Sequence, residues 1–487
     1  MSLFIGIDVG TSGVKAILTG DAGGVLAEAA VPVAVSIPQV GWSEQPADLW
    51  VEAVFACLDA LAADRPGDMG AVAGIGLSGQ MLAALLLDEA LRPLRPAILW
   101  NDQRAIAECA ELRAAVPDIG RRTNGTPDPG ITAPKLLWLR KHEPQAMDRA
   151  RMLMLTKDYV RLALTGEVAS EPTDAGGTQL LDCASGQWDA EICAAVGWSP
   201  DHLPPLVSPW AAAGGLRAAL AARWGLRAGL PVAAGAGDNM ASTLGAGAAR
   251  PGDAVLTIGT SGVACIVDAA FHPGPEQAIL TSGHAAPDTF LSMGVVMSAT
   301  ASLDWAARLS GCTAAVLAAE AEGFAANGRI AEAPLFLPCL TGIRTPLNRP
   351  DAMGRIDGLH PGVTRAMLGY ATMEGIAVQF AACVAAQRRV GTRPERFTAV
   401  GGGTRSDLWL RLIATALDQP LALIPRSDVA GPAGAARLAA VAAGGDLASL
   451  SVPIAPRAVI DPDPALASVL AVRRERMEAL MPAPGGA

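Results

Sequence analysis

The chain opens its chemistry with Asp8-Val9-Gly10-Thr11-Ser12-Gly13. Small residues in a tight turn expose successive backbone N–H groups, and such a nest holds phosphate oxygens without cationic side chains. Glycine lets the phosphate approach the main chain, and the threonine and serine hydroxyls add donors. A carboxylate beside bound phosphate is repelled unless a cation lies between them, so Asp8 points to Mg2+, reached through water. The pentapeptide GTSGV recurs at 259–263, where Gly259, Thr260, Ser261 and Gly262 repeat the turn and Thr257 stands in the place of Asp8. A single copy reads first as a tight hairpin. Two copies in the same frame favour phosphate binding.

Two further features carry chemistry. Gly401-Gly402-Gly403 follows an apolar run and leads into an amphipathic stretch with Leu408, Leu412, Ile413 and Leu417. A strand–glycine–helix unit offers a nucleotide a flat backbone and a helix N-terminus, or it serves close strand–helix packing. Asp238, in Gly237-Asp238-Asn239, stands between an apolar strand and a small-residue helix. Two readings of it stay open: a helix N-cap, or a general base at the carboxyl end of a strand, where α/β sheets place their sites.

The elements that must position these residues follow from the pattern of apolar runs. Both GTSGV copies sit between apolar strands, about half a chain apart. With 487 residues, too many for one core, this predicts two similar α/β domains, 1–246 and 247–445, then a helical tail, 446–487. The longest uncharged apolar stretch, 70–87, is long enough to raise the question of a membrane span. Its turn-like Ser78-Gly79-Gln80 predicts instead a buried strand running into a buried helix.

Composition excludes other classes. The net charge of −10 argues against a nucleic-acid binder, which needs a basic surface. The N-terminus lacks the basic and apolar regions of a secretory signal. Eight cysteines with no CxxC and five histidines with no HExxH suit a reduced, cytoplasmic protein without a protein-caged metal. No GxxxxGK[ST] occurs, and the first glycine turn leads into a strand rather than the helix of a dinucleotide fingerprint.

Taken in order, DVGTSG at 8–13, GQM at 79–81, ILWND at 98–102, GDN at 237–239, GTSG at 259–262 and GGGTRSDLW at 401–409 resemble the FGGY carbohydrate kinases. The likeness runs from about residue 3 to about residue 440 and is nearest to the members that phosphorylate xylulose. It implies an actin-like ATPase fold, with two RNase H-like domains flanking a deep cleft, and ATP with Mg2+ as cofactors. It implies that Gly10, Thr11, Ser12, Gly13 and Lys15, with Gly259–Gly262, hold phosphates. Gly402, Gly403 and Ser406 then serve the adenosine, Asp8 the metal, and Asp238 acts as base. The acceptor pocket falls to Gln80, Met81, Leu82, Asn101, Asp102 and Asn239. The implied reaction takes D-xylulose to D-xylulose 5-phosphate. The implied partner is a small sugar, with no nucleic acid and no membrane, and the family suggests a homodimer. The xylulose-type pattern reads QMHG and SGERTPH where this chain has QMLA and TGIRTPL, so Leu82, Ala83, Ile343 and Leu347 depart from it. Another ketose, a polyol or a deoxy sugar stays open as acceptor. A non-catalytic actin-like ATP-binding scaffold also stays open, and retention of both Asp8 and Asp238 counts against it.

Overall fold

A computed structural model of the chain describes residues 2–20 and 23–483. The chain forms two compact units. The first comprises Met1–Ala249, Thr281–Phe290 and Val429–Pro453; the second comprises Arg250–Leu280, Leu291–Asp428 and Ile454–Ala487.

The first unit is built on a twisted mixed sheet. Its strands run in the order Ala212–Gly215, Pro231–Ala233, Val72–Gly79, Leu3–Val9, Gly13–Gly20 and Val25–Pro32, and the short Ala236–Gly237 also pairs with 72–79. Leu3–Val9 and Val72–Gly79 lie parallel at its centre and are apolar and buried almost throughout, as strands covered on both faces must be. Their register sets Asp8 opposite Ser78, and on the other side Ala236 faces Ser78 while Gly237 faces Gly79. The carboxyl ends of three neighbouring strands therefore carry Asp8, Gln80 and Asp238.

The segment after residue 428 departs from the domain order read from the sequence. The helix Ala430–Ala442 packs on the first unit's central strands, not on the second unit. Glycines on the sheet make this approach possible. A Cβ on Gly6 would lie 1.8 Å from the Pro432 carbonyl oxygen, and one on Gly76 would lie 1.8 Å from that of Ala435. Backbone meets backbone there, so a methyl group forces the helix outward. Gly76→Ala is expected to lower stability by at least ~2 kcal/mol. Gly70→Ala, whose Cβ meets nothing within 4 Å, should stay within ~0.5 kcal/mol of the parent. Thermal unfolding of the two variants checks the contrast.

The 70–87 stretch gives the buried strand expected, but no helix follows it. Leu82 turns the chain with φ +69°, and Leu85–Leu87 forms a second short strand, antiparallel to Met152–Met154. Three successive leucines, each fully buried, suit a strand enclosed on both sides.

The second unit repeats the central motif of the first. Asp253–Ile258 and Gly262–Asp268 are antiparallel across the second GTSG turn, and Asp253–Ile258 runs parallel to Arg396–Val400. Leu421–Leu423 and Ala458–Ile460 extend the sheet. The 26-residue helix Arg365–Val390 is long and apolar enough to cross a membrane, yet it is mostly buried in this unit's core. The expected tail is also part of the core. In the helix Pro464–Leu480, the buried Arg473 grips both Glu374 oxygens at 2.6 Å and the carbonyls of Ala333 and Pro334. The last residues of that expected tail, 484–487, lie outside the described residues. Among the described residues the eight cysteines form no disulfide with one another, and seven are buried.

Candidate active site

Asp238 is the first residue of the helix Asp238–Gly245, whose N-cap is Gly237. It is therefore not an N-cap itself. Its Oδ1 accepts the Asn239 backbone N–H at 2.7 Å and the Asn239 side-chain amide at 2.9 Å. Among the described residues its Oδ2 accepts no hydrogen bond, and the side chain is only partly buried. Burial, and then the Asp8 charge, push the Asp238 carboxyl up to about 7, against the two Asn239 hydrogen bonds. A carboxylate with one open oxygen and a titration near neutrality has the properties of a general base.

Asp8 accepts the Ser78 hydroxyl at 2.7 Å. Burial raises its carboxyl as well, while Ser78 and Lys15 pull the other way. Its Oδ2 lies 3.0 Å from where a Cβ on Gly431 would stand, so only glycine leaves this oxygen clear at the start of the 430–442 helix. Two carboxylates near enough to oppose each other's ionisation suit a divalent cation. Among the described residues no group of three or more metal-ligating side chains gathers. This fits Mg2+, which takes one or two carboxylates and fills its shell with water and phosphate oxygens.

The first turn is closed by Gly10 N–H to the Gly13 carbonyl at 3.0 Å, and Ser12 is exposed. Here the expected role of Thr11 changes. Its hydroxyl donates to Gln80 Oε1 and accepts the Trp100 indole N–H, both at 2.9 Å. Gln80 donates to Gln45 Oε1 at 2.8 Å, which also accepts the Trp50 indole at 2.9 Å. Gln45 donates back to the Thr11 carbonyl at 2.7 Å. The indoles can only donate, so every proton in this loop of bonds has a fixed direction. The Thr11 hydroxyl hydrogen is committed to Gln80 and is not available to a phosphate. Gln80, almost fully buried, braces the turn rather than facing an acceptor.

The remaining acceptor-pocket residues divide in the same way. Met81 lies against Gly237, its Sδ 2.6 Å from where a Cβ there would sit, and so forms a wall beside Asp238. Leu82 lies against Gly177 in its left-handed conformation, and its carbonyl accepts Thr132 Oγ1 at 3.0 Å and Lys135 Nζ at 2.9 Å. Lys135 is fully buried and also donates to the carbonyls of Gly130 at 2.6 Å and Ile98 at 3.4 Å. One ammonium thus ties together three segments, although burial pushes it down to about 7 against the pull of Asp102 and Asp128. Asp102 has both oxygens bonded within the fold. It is fully buried, and its oxygens accept the Ser43 N–H, the Arg104 N–H and the Arg104 guanidinium at 2.6–2.9 Å. Asn101 is exposed beside the half-exposed Trp100.

In the second unit, Gly259 N–H bonds to the Ser261 carbonyl at 3.1 Å, and the Thr260 carbonyl accepts Ala299 N–H at 2.8 Å. A Cβ on Gly403 would lie 2.2 Å from Ile258 Cγ2, so the glycine segment packs on the residue preceding the second turn. Gly402 faces open space, which suits a flat ligand against the main chain. The Ser406 hydroxyl accepts Trp409 N–H at 3.3 Å and so caps the helix Asp407–Leu417.

Residues that sequence reading passed over include Ser78, Gln45, Trp100, Lys135 and Gly431. Gln45 lies in the polar stretch GWSEQP, and Lys135 in TAPKLLW, where a lone lysine interrupts an apolar run.

Residues 3–245 match the N-terminal domain of the FGGY family of carbohydrate kinases, and residues 254–443 match its C-terminal domain. The xylulose kinase of Escherichia coli K12 is 40% identical over 443 residues, 91% of this chain and 90% of its own. The crystal structure of a xyloylose kinase from Brucella ovis superposes with a TM-score of 0.93 at 41% identity and covers 99% of both chains. That of the xylulose kinase from Rhodospirillum rubrum superposes at 0.90 with 32% identity and covers 98% of both chains.

Proposed function

The chain belongs to the FGGY family of carbohydrate kinases, with their actin-like ATPase fold, and on that premise we propose that it transfers the γ-phosphoryl group of ATP to D-xylulose, giving D-xylulose 5-phosphate. The observation that carries the phosphotransfer is the pair Asp8 and Asp238 at the ends of the two strands that flank Val72–Gly79, with Asp238 Oδ2 open. The choice of sugar is supported by the xylulose kinases that resemble the chain over nine-tenths of its length.

Bound MgATP supplies the phosphoryl group and the cation that neutralises its charge. Asp238 Oδ2 takes the proton of the acceptor hydroxyl, and Asn239 holds the other oxygen so that the open one keeps its direction. Asp8, oriented by Ser78, would hold Mg2+ when MgATP binds. The backbone N–H groups of 11–13 receive phosphate oxygens, in a turn that Gly10 closes, with Lys15 beside them. The turn Gly259–Gly262 with Gly402 and Gly403 forms the second unit's nucleotide surface, where Ser406 acts as a cap. Met81, Leu82, Asn101 and Trp100 wall the acceptor. Such chemistry depends on positioning and charge neutralisation more than on covalent participation. We place the reaction in the cytoplasm.

The test is ADP formation by the purified enzyme with MgATP and a panel of ketoses and polyols. D-xylulose is expected to give the highest kcat/KM. Leu82 puts an apolar side chain where xylulose-type sequences have histidine, so a higher value with a deoxy sugar or a polyol would reassign the acceptor. No sugar-dependent turnover at all would remove the kinase reading.

A further inference from the structure

The base-bearing helix Asp238–Gly245 has no side-chain cap of its own. What fixes its start comes from another part of the chain. Thr173, fully buried, accepts the Gly237 N–H on its hydroxyl oxygen at 3.0 Å. The same hydroxyl donates to Glu171 Oε1 at 3.0 Å. Glu171 in turn accepts the backbone N–H groups of Thr173 at 2.6 Å and Asp174 at 3.1 Å, and it pairs with Lys157 Nζ at 3.1 Å. Surrounded by donors, this carboxylate acts as an acceptor, which fixes the direction of the Thr173 proton and turns a hydroxyl lone pair toward Gly237.

Lys157 extends the brace. Its Nζ also meets Asp158 at 2.9 Å and Asp174 at 3.3 Å, all within the buried interior. Its Cβ stands 3.3 Å from the Cβ position of Gly79, and Gly79 is the residue paired with Gly237 across the sheet. Gly237 is therefore held on two sides by one buried cluster, and the next residue is Asp238.

We propose that Thr173 is a positioning residue for phosphoryl transfer: its hydroxyl, oriented by Glu171 and Lys157, sets the Gly237 peptide and through it the direction of the Asp238 carboxylate. The inference rests on the reading of Asp238 as the base. Thr173 is fully buried and reaches Asp238 through the Gly237 peptide, so its loss is expected to act on turnover and to leave nucleotide binding alone.

The test compares Thr173→Val, which keeps the branched shape without the hydroxyl, with Thr173→Ser, which keeps the hydroxyl. The valine variant is expected to lose roughly 10- to 100-fold in kcat, the scale of a small misplacement of a reacting group. Its KM for ATP should stay within about 2-fold, and the serine variant should recover most of the turnover. In the double variant Thr173→Val/Asp238→Asn no loss beyond that of Asp238→Asn is expected, because nothing remains to be positioned. If valine impairs folding, judged by thermal unfolding, Thr173→Ala carries the same comparison. Full kcat in a variant without the hydroxyl, while Asp238→Asn is inactive, overturns the role of Thr173 alone. A kcat for Asp238→Asn within about 10-fold of the parent overturns the base assignment itself. A serine variant as impaired as valine also overturns the proposal, since the threonine then acts by packing.

Discussion

Asp238→Asn is expected to lower kcat roughly 10²- to 10⁴-fold, the usual contribution of a positioned general base. ATP binding should change little, because the proposed role of this carboxylate is toward the acceptor and not the nucleotide. The same substitution should stabilise the fold at neutral pH. In the folded chain the Asp238 carboxyl is raised to about 7; in the unfolded chain it returns to about 4. Between those values the folded state binds more protons, so stability falls as pH rises from about 4 to about 7, and the loss persists above. Asparagine carries no such charge. Its advantage is expected to be on the order of 2–4 kcal/mol at pH 8 and to vanish below about pH 4, as read by denaturation at the two pH values. In the parent enzyme kcat/KM should rise about tenfold per pH unit below about 7 and level off above, since only the ionised base accepts a proton. A stable, inactive variant with this pH signature is hard to explain by a purely structural role for Asp238.

Asp8→Asn carries the second large effect. Loss of the carboxylate proposed to hold the metal is expected to cost roughly 10²- to 10³-fold in kcat, equivalent to about 3–4 kcal/mol, and to raise the Mg2+ concentration needed for half-maximal rate. It has a second consequence through electrostatics. The Asp8 charge helps to hold the Asp238 carboxyl up. Removing it should move the midpoint of the kcat/KM profile to lower pH, because a like charge no longer opposes ionisation of the base. Initial rates across Mg2+ and pH test both effects together. An unchanged Mg2+ requirement would take the metal role from Asp8.

What could be read in the sequence was what is local. The Asp8 turn, the second GTSG and the Gly237-Asp238-Asn239 break each place a chemical group a few residues from the strand that carries it, and the structure bears out both strand–turn–strand frames. What could not be read depends on partners far away along the chain. Gln80 looks like a pocket group until its partners are known, and these lie 69 and 35 residues away, at Thr11 and Gln45; Asp102 is held by Arg104 two residues on, but also by Ser43, 59 residues away. Thr173 and Gly237 are 64 residues apart. The helix Ala430–Ala442 joins the first unit because Gly6 and Gly76 face it across the sheet, a complementarity that becomes visible only once the two strands are in register. The helix misjudged in 70–87 failed for a related reason: consecutive apolar residues are equally compatible with a buried strand and a buried helix, and only pairing with Met152–Met154 decides between them.

The central claim is that this chain moves a phosphoryl group from ATP to the terminal hydroxyl of xylulose. The direct measurement is phosphorus NMR of the reaction mixture after incubation of the enzyme with MgATP and D-xylulose. The account expects ADP and xylulose 5-phosphate in equal amounts, with the phosphate coupled to the C5 protons. ADP with inorganic phosphate alone, or a phosphate ester at another carbon, would contradict it.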